Sequence, residues 1–509
     1  PVEVLPAPDV ATLMQEDEAR NHWPARYGAV IPVAFSADER GRWEELPSGE
    51  LVWRLRILSP GAYSLGLLFD VFDLPPSGQL FVTTPGHGTV LGAFTAATRQ
   101  PNGMLAVQPV LGDQVVIEYV QAKDDAGRPA LQVGEVVHDY RGILDRLMVE
   151  QPQALGGGCL VDVNCPQGAA YQDIKRSVVF VLVGGGYCSA GMLNNTAYDG
   201  TPYFLTANHC GNMTNVVAVF GYENTGCGPG GASQAQTVAG ATLLANSTFY
   251  DSQLYVLSSA PPPAFEPFYA GWDRGSSQPS PAIGISHPNG FPKKIARDND
   301  GPLLSGQDFR ATWELGKLEP GSSGSPLFSG AKRVLGPACC VSDFTCNGQW
   351  AIYGKFGGFY DQRGLGQWLD PAAQDPQGID GFDPAQGLAI AYNGAGGNPE
   401  AYRSLTPPTL GTTWMAEVAT TTLPTTTTTV ILGYRQPLGG VFVSQGEVLV
   451  NVGLPLLFSS FAAPVQQKAV HSIALPNNLA LVGFRSYTQA VLVTSRPQLL
   501  TNGIELRLR

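Results

Sequence analysis

The sequence predicts a mainly β protein of about three domains, and three observations carry that expectation. A chain of 509 residues is longer than one hydrophobic core supports. Its 61 glycines and 41 prolines separate short β-branched runs from end to end, and strongly helical stretches are hard to find. Its eight cysteines all fall in the middle of the chain, between two flanks that have none. A cysteine-bearing centre with a β-rich block on either side is the organisation this implies.

The first block, residues 1–155, alternates as strands do. Trp53, Leu55 and Ile57 are apolar at every second position, residues 114–120 read as another strand, and Pro75-Pro76-Ser77-Gly78 is a turn before a strand at 79–83. A β-sandwich-like domain is expected. Its histidines, His22, His87 and His138, have no acid and nucleophile pattern beside them and read as surface or core residues. Residues 148–158, with Gln151-Pro152-Gln153 and Gly156-Gly157-Gly158, read as an exposed linker and a cleavage site. The middle region then spans 156–384. The last block, 387–509, opens near Gly394-Ala395-Gly396-Gly397-Asn398-Pro399 and is again strand-rich and poor in charge, so a second β-sandwich-like domain is expected. Its threonine-rich stretch around Leu423-Pro424 reads as strand and loop inside that domain, Leu475-Pro476-Asn477-Asn478 as a turn, and 489–493 as a strand.

Composition excludes several classes of partner. Charged residues make up 14% of the chain and the formal net charge is −12. Nucleic acid or an anionic membrane surface would call for clustered lysine and arginine, so neither is expected. No run of about 20 apolar residues occurs, so no membrane span is expected. Cys159, Cys165, Cys188, Cys210, Cys227, Cys339, Cys340 and Cys346 lack the repeated C-x-x-C spacing of a zinc site, so neither metal nor cofactor is expected. Disulfides formed in an oxidising compartment are the better reading, although eight cysteines allow about a hundred pairings and spacing does not choose among them. The chain starts at Pro1 without a methionine and is read as a processed or trimmed form, from which a secretory signal could have been removed.

Chemistry concentrates in the middle region. In Gly321-Ser322-Ser323-Gly324-Ser325-Pro326 small residues let the backbone bend until the middle hydroxyl points into a cleft, with neighbouring N–H groups turned toward one point as an oxyanion hole. Ser323 is the candidate nucleophile. A base must reach it, and His209 ends the apolar run Tyr203-Phe204-Leu205-Thr206-Ala207-Asn208 directly before Cys210, a context that fixes an imidazole. Asp251, opening the alternating strand 251–257, lies between them in the chain and is the candidate for orienting His209. Asp273 competes, but its neighbour Arg274 suggests a structural ion pair. His287, in His287-Pro288-Asn289, is read as structural. The order His, Asp, Ser is that of the chymotrypsin-type double β-barrel, and not that of subtilisins or α/β-hydrolases.

Residues about 158–384 resemble the catalytic domain of the bacterial lysyl endopeptidase group of trypsin-like serine proteases. The resemblance is carried by Cys159-Leu160-Val161-Asp162-Val163-Asn164-Cys165-Pro166, Asp173-Ile174-Lys175-Arg176, Leu193-Asn194-Asn195-Thr196, residues 203–211, Ala270-Gly271-Trp272-Asp273-Arg274, His287-Pro288-Asn289, residues 319–326, and Trp368-Leu369-Asp370-Pro371 with Ile379-Asp380-Gly381. It implies His209 as base, Asp251 as its orienter, Ser323 as nucleophile, and the N–H groups of Gly321 and Ser323 as oxyanion hole. It also implies the disulfides Cys188–Cys210, Cys165–Cys227 and Cys159–Cys346. For Cys339 and Cys340 a vicinal disulfide, free thiols or exchange with Cys346 remain open.

Glu319, Ala351, Tyr353 and Gly354 are the expected substrate-binding residues. Lysine-specific members of the group carry an aspartate just before a Tyr-Gly pair, and here Ala351 stands in its place. A buried ammonium without a carboxylate costs about several kcal/mol, so strict lysine specificity is not expected, with Glu319 offering partial compensation and Asp343 a candidate for folding inward. The first block resembles the pro-regions of such proteases through Ser59-Pro60-Gly61-Ala62, Leu74-Pro75, Gly92-Ala93-Phe94-Thr95, Gly112-Asp113 and His138-Asp139-Tyr140-Arg141, which implies an intramolecular chaperone or inhibitor. The last block resembles β-domains appended to secreted bacterial proteins. The expected protein is therefore a secreted, monomeric serine endopeptidase made as a zymogen and acting on protein or peptide substrates. The alternative is a surface adhesin built on an inactive protease-like scaffold.

Overall fold

The computed structural model describes residues 2–20, 24–125, 127–144, 159–276, 279–346, 348–371, 373–494 and 498–509. His22 and the expected linker at 148–158 lie outside them. The chain divides into two compact units, Pro1–Phe382 and Asp383–Arg509. Strands dominate both, as glycine- and proline-punctuated β-branched runs require.

Within the first unit, the N-terminal block stacks two sheets. One orders Val2–Val4, Leu51–Leu58, Gln114–Gln121, Gln79–Thr83 and Val90–Phe94, with Arg42–Glu45 beside Leu51–Leu58. The other orders Gly28–Ser36, Ala130–Asp139, Ser64–Asp73 and Leu105–Leu111. Alternation in the sequence becomes a buried face: Trp53, Leu55 and Ile57 are fully covered, while Arg54 and Arg56 between them are exposed. They share one core with Phe69, Phe72, Ile117, Tyr119 and Val136.

The middle region forms the two sheets of a chymotrypsin-like body. The first orders Thr237–Ala239, Val217–Val219, Val178–Val183, Gly186–Leu193, Tyr203–Thr206, Ser252–Leu257 and Ala241–Ser247. The second runs from Val161–Asp162 through Lys294–Asp298, Ala282–Ser286, Pro326–Phe328, Val334–Val341, Trp350–Gly354 and Asp308–Thr312 to Leu303–Ser305. A common core joins them, with Leu193, Leu205 and Leu254 from the first sheet packed among Trp272, Ile283 and Phe328 from the second. The helix Phe356–Arg363 closes one side and stops at Gly364, whose left-handed backbone (φ 61°) caps it.

The N-terminal block enters this body. Ala25–Arg26 pairs as an edge strand with Tyr187 and Gly186, and Ala25, Tyr27, Val137 and Ile143 share a core with Phe180, Tyr187, Val217 and Tyr222. Ile143 is held there by a turn built on Asp139. That fully buried carboxylate accepts the N–H groups of Arg141 (2.8 Å), Gly142 (2.8 Å) and Ile143 (2.9 Å) and the Ser64 hydroxyl (2.6 Å). His138, next to it, is a core residue bonded to Ser59 (2.8 Å).

The second unit contains a five-stranded sheet, Leu388–Tyr392, Gln498–Arg507, Arg485–Val493, Thr428–Tyr434 and Phe458–Ala462, and smaller three- and two-stranded sheets, over a core of Trp414, Val418, Ile431 and Leu492. Thr420, Thr426 and Thr429 are buried, which places the threonine-rich stretch inside this β-structure. Among the described residues no helix is long and apolar enough to cross a membrane.

Candidate active site

The loop at Ser323 is shaped by two glycines in the left-handed region, where any side chain would be strained and crowded. Gly321 has φ +93°, and a Cβ there would lie 2.4 Å from Tyr187 Cε2 and 2.9 Å from the His287 carbonyl oxygen. Gly324 has φ +79°, and its Cβ would lie 2.1 Å from Thr206 Oγ1. The loop is hydrogen-bonded on both sides: Ser322 N to Glu319 O (3.0 Å), Ser325 N to Ser322 O (3.0 Å), Gly324 N to Ala338 O (2.9 Å) and Ala338 N to Ser325 O (2.8 Å). The Ser286 hydroxyl donates to Ser322 Oγ at 3.0 Å. The N–H groups of Gly321 and Ser323 bond to no acceptor among the described residues, and Ser323 Oγ is buried without a hydrogen-bond partner.

The imidazole is fixed from the other sheet. Strand Tyr203–Thr206 delivers a short 3-10 turn, Asn208–Cys210, anchored by the disulfide Cys188–Cys210. Asp251 grips it in three ways: its Oδ2 lies 2.6 Å from His209 Nδ1, its Oδ1 accepts the His209 N–H at 2.9 Å, and its carbonyl accepts the Asn208 N–H at 3.1 Å. Asp251 does not open the following strand, which is Ser252–Leu257; it sits before it in the left-handed region (φ 45°), which a short polar side chain tolerates. Asp308 is a second carboxylate in reach of Asp251's charge. Burial, with that charge adding, pushes its carboxyl up to about 6.

The two loops meet at Ser189, which sequence reasoning passed over. Its N–H donates to Ser323 O (2.8 Å), its hydroxyl donates to Gly321 O (2.9 Å) and accepts the His287 N–H (3.0 Å), and its carbonyl accepts Thr206 Oγ1 (3.0 Å). Adjacent Cys188 carries the link to Cys210 beside His209. A serine next to a half-cystine on a buried strand was the available signal. His287 lies outside the pair, fully buried and stacked on Tyr222 with Nδ1 3.0 Å from Phe291 O, and burial drives its pKa well below the ordinary imidazole value.

Asp273 is a second departure from expectation. Arg274 pairs with Asp361 (2.7 Å) and Asp375 (2.6 Å), while Asp273 is approached by Arg333 at 3.8 Å. Neighbours along an extended chain point to opposite sides, so adjacency did not make a pair.

Beside the loop, Glu319 is buried and ion-paired with Lys317, whose Nζ also donates to Phe344 O at 2.8 Å. Burial raises the Glu319 carboxyl despite that ammonium. Ala351 and Tyr353 are fully buried in the core of the second sheet, with Trp313, Leu318 and Ala338, and Gly354 pairs with Asp308. Asp343 does not fold inward; it is exposed and accepts the hydroxyl (2.6 Å) and N–H (2.8 Å) of Thr345. Cysteines pair as Cys159–Cys346, Cys165–Cys227, Cys188–Cys210 and Cys339–Cys340. Among the described residues no cluster of three or more metal-ligating side chains occurs.

Residues 155–347 match the family model of the lysyl endopeptidase C-terminal domain. The match takes in His209, Asp251 and Ser323 and ends before Ala351. Similar solved structures include the active form of the Rv3671c protease from M. tuberculosis, 16% identical, covering 40% of this chain and 83% of that one, with a TM-score of 0.28. An inactivated protease paralogue of the scabies mite is 17% identical over 39% of this chain and 98% of that one, TM-score 0.30. A serine endoprotease from Yersinia pestis is 12% identical over 45% and 71%, TM-score 0.28. This protease-like match covers the part of the chain in which the site residues lie.

Proposed function

We propose that the chain is a secreted serine endopeptidase made as a zymogen. The observation that carries the reading is the double grip of Asp251 on His209, through ring nitrogen and backbone N–H, on a turn tied by Cys188–Cys210 to the strand that holds Ser323 and Gly321. The Asp251 carboxylate keeps the Nδ1–H tautomer, so Nε2 is the basic nitrogen and takes the Ser323 proton as Oγ attacks the peptide carbonyl. The carbonyl oxygen becomes an oxyanion, and the N–H groups of Gly321 and Ser323 are the donors for it. His209 returns the proton to the leaving amine, and water resolves the acyl-enzyme by the same route. Residues 1–155 serve as the pro-domain, in keeping with the core they share with the catalytic body.

Ser323→Ala is expected to lower turnover of casein by about three or more powers of ten with the fold intact. A purified variant that cleaves at the wild-type rate would sink the assignment. Labelling by a fluorophosphonate before and after removal of the first block separates an enzyme from a binding protein on a protease-like scaffold, because only the enzyme labels.

A further inference from the structure

We propose that Lys317 determines the specificity of this site: its ammonium occupies Glu319 from within the protein, so the chain cleaves after neutral residues and not after lysine or arginine. The inference rests on the protease reading above. Lys317 stands six residues ahead of Ser323, the spacing at which trypsin carries the aspartate that selects basic substrates. Here that position is cationic and its side chain is 0% exposed.

The pair is built into the nucleophile loop. Glu319 N donates to Ser322 Oγ (3.3 Å), and Glu319 O accepts the Ser322 N–H (3.0 Å). Leu318, between the two charges, is clasped by Gln349, whose Oε1 accepts its N–H (2.8 Å) and whose Nε2 donates to its carbonyl (2.9 Å). That clasp sets the pair against strand Trp350–Gly354, where Ala351 supplies no charge. A substrate ammonium entering here meets a like charge and a carboxylate already committed. Since burial raises the Glu319 carboxyl, its protonation only makes the pair cationic. In neither state does the pair hold net negative charge, and an acidic substrate side chain finds Lys317 engaged by Glu319. A neutral side chain displaces nothing.

The test uses the chain in whichever form, before or after removal of the first block, labels with fluorophosphonate, on a peptide library read by mass spectrometry. Cleavage after lysine and arginine is expected at least about tenfold below cleavage after neutral residues. Lys317→Met frees Glu319 and is expected to raise basic cleavage about tenfold relative to neutral cleavage, a gain that Lys317→Met with Glu319→Gln abolishes. Two peptide aldehydes differing only in norleucine or lysine before the aldehyde test the wild type without substitution, norleucine binding at least about tenfold more tightly. A wild-type preference for basic residues in either assay, or a folded Lys317→Met variant without the gain, overturns the inference and leaves the protease reading standing. A chain that never labels overturns both.

Discussion

Replacing Gly321 by alanine tests the proposed oxyanion site most directly. At φ +93° an L side chain is strained, and the added Cβ would lie 2.4 Å and 2.8 Å from two ring carbons of Tyr187 and 2.9 Å from the His287 carbonyl oxygen. Left-handed strain costs about 1–2 kcal/mol, and overpacking costs about 1–3 kcal/mol. Tyr187 is buried against Phe180 and Tyr222, and His287 is buried completely, so neither can retreat. The loop itself must shift. Its ties to Ser189 and Ala338 hold the fold, but the Gly321 N–H turns away from the oxyanion that the proposed mechanism places between it and the Ser323 N–H. Loss of one such donor lowers turnover about 10²- to 10³-fold. Gly321→Ala is therefore expected to melt cooperatively at a reduced temperature, to hydrolyse peptide substrates about a hundredfold or more slowly, and to label sluggishly with fluorophosphonate. Turnover within about threefold of wild type would refute the placement of the donor.

Asp139→Ala leaves three backbone N–H groups buried without an acceptor, at about 1–3 kcal/mol for each one that finds no other partner. Amide hydrogen exchange at Gly142 and Ile143 is expected to rise with a loss of thermal stability, and unchanged protection would show that the turn does not depend on the carboxylate. Asp308 predicts a pH dependence. Its carboxyl is raised to about 6, so the folded chain keeps a proton that the unfolded chain has released, and stability falls as pH rises from 3.8 toward 6. Asp308→Asn is expected to flatten that slope in melting curves; a slope identical to wild type would count against the burial of the group.

Legibility in the sequence followed locality. Ser323 among its glycines, His209 beside Cys210 and the alternation at Trp53 are each written within a few consecutive residues, and the backbone geometry they demand is local too. Ser189 was not legible, because its partners Gly321 and Ser323 are distant in sequence and meet it only when the two sheets pack. Lys317 and Glu319 were readable in principle, since residues two apart in an extended segment share a side. Arg274 misled for the complementary reason, being next to Asp273 and so turned away from it. Alternation in the first block showed that a face is buried, but not that Tyr27, Val137 and Ile143 would be covered by another part of the chain.

That shared interior bears on what a break in the chain would accomplish. Ile143 is fully buried among residues of the middle region, and Ala25–Arg26 lies in register along Gly186 and Tyr187. Cutting the chain beyond Leu144 would leave that shared interior in place. The two pieces would then be a tight noncovalent complex, whose separation is governed by a dissociation constant and by dilution rather than by the speed of the cut. On the zymogen reading, whatever frees the middle region must work on that equilibrium as well as on the peptide bond.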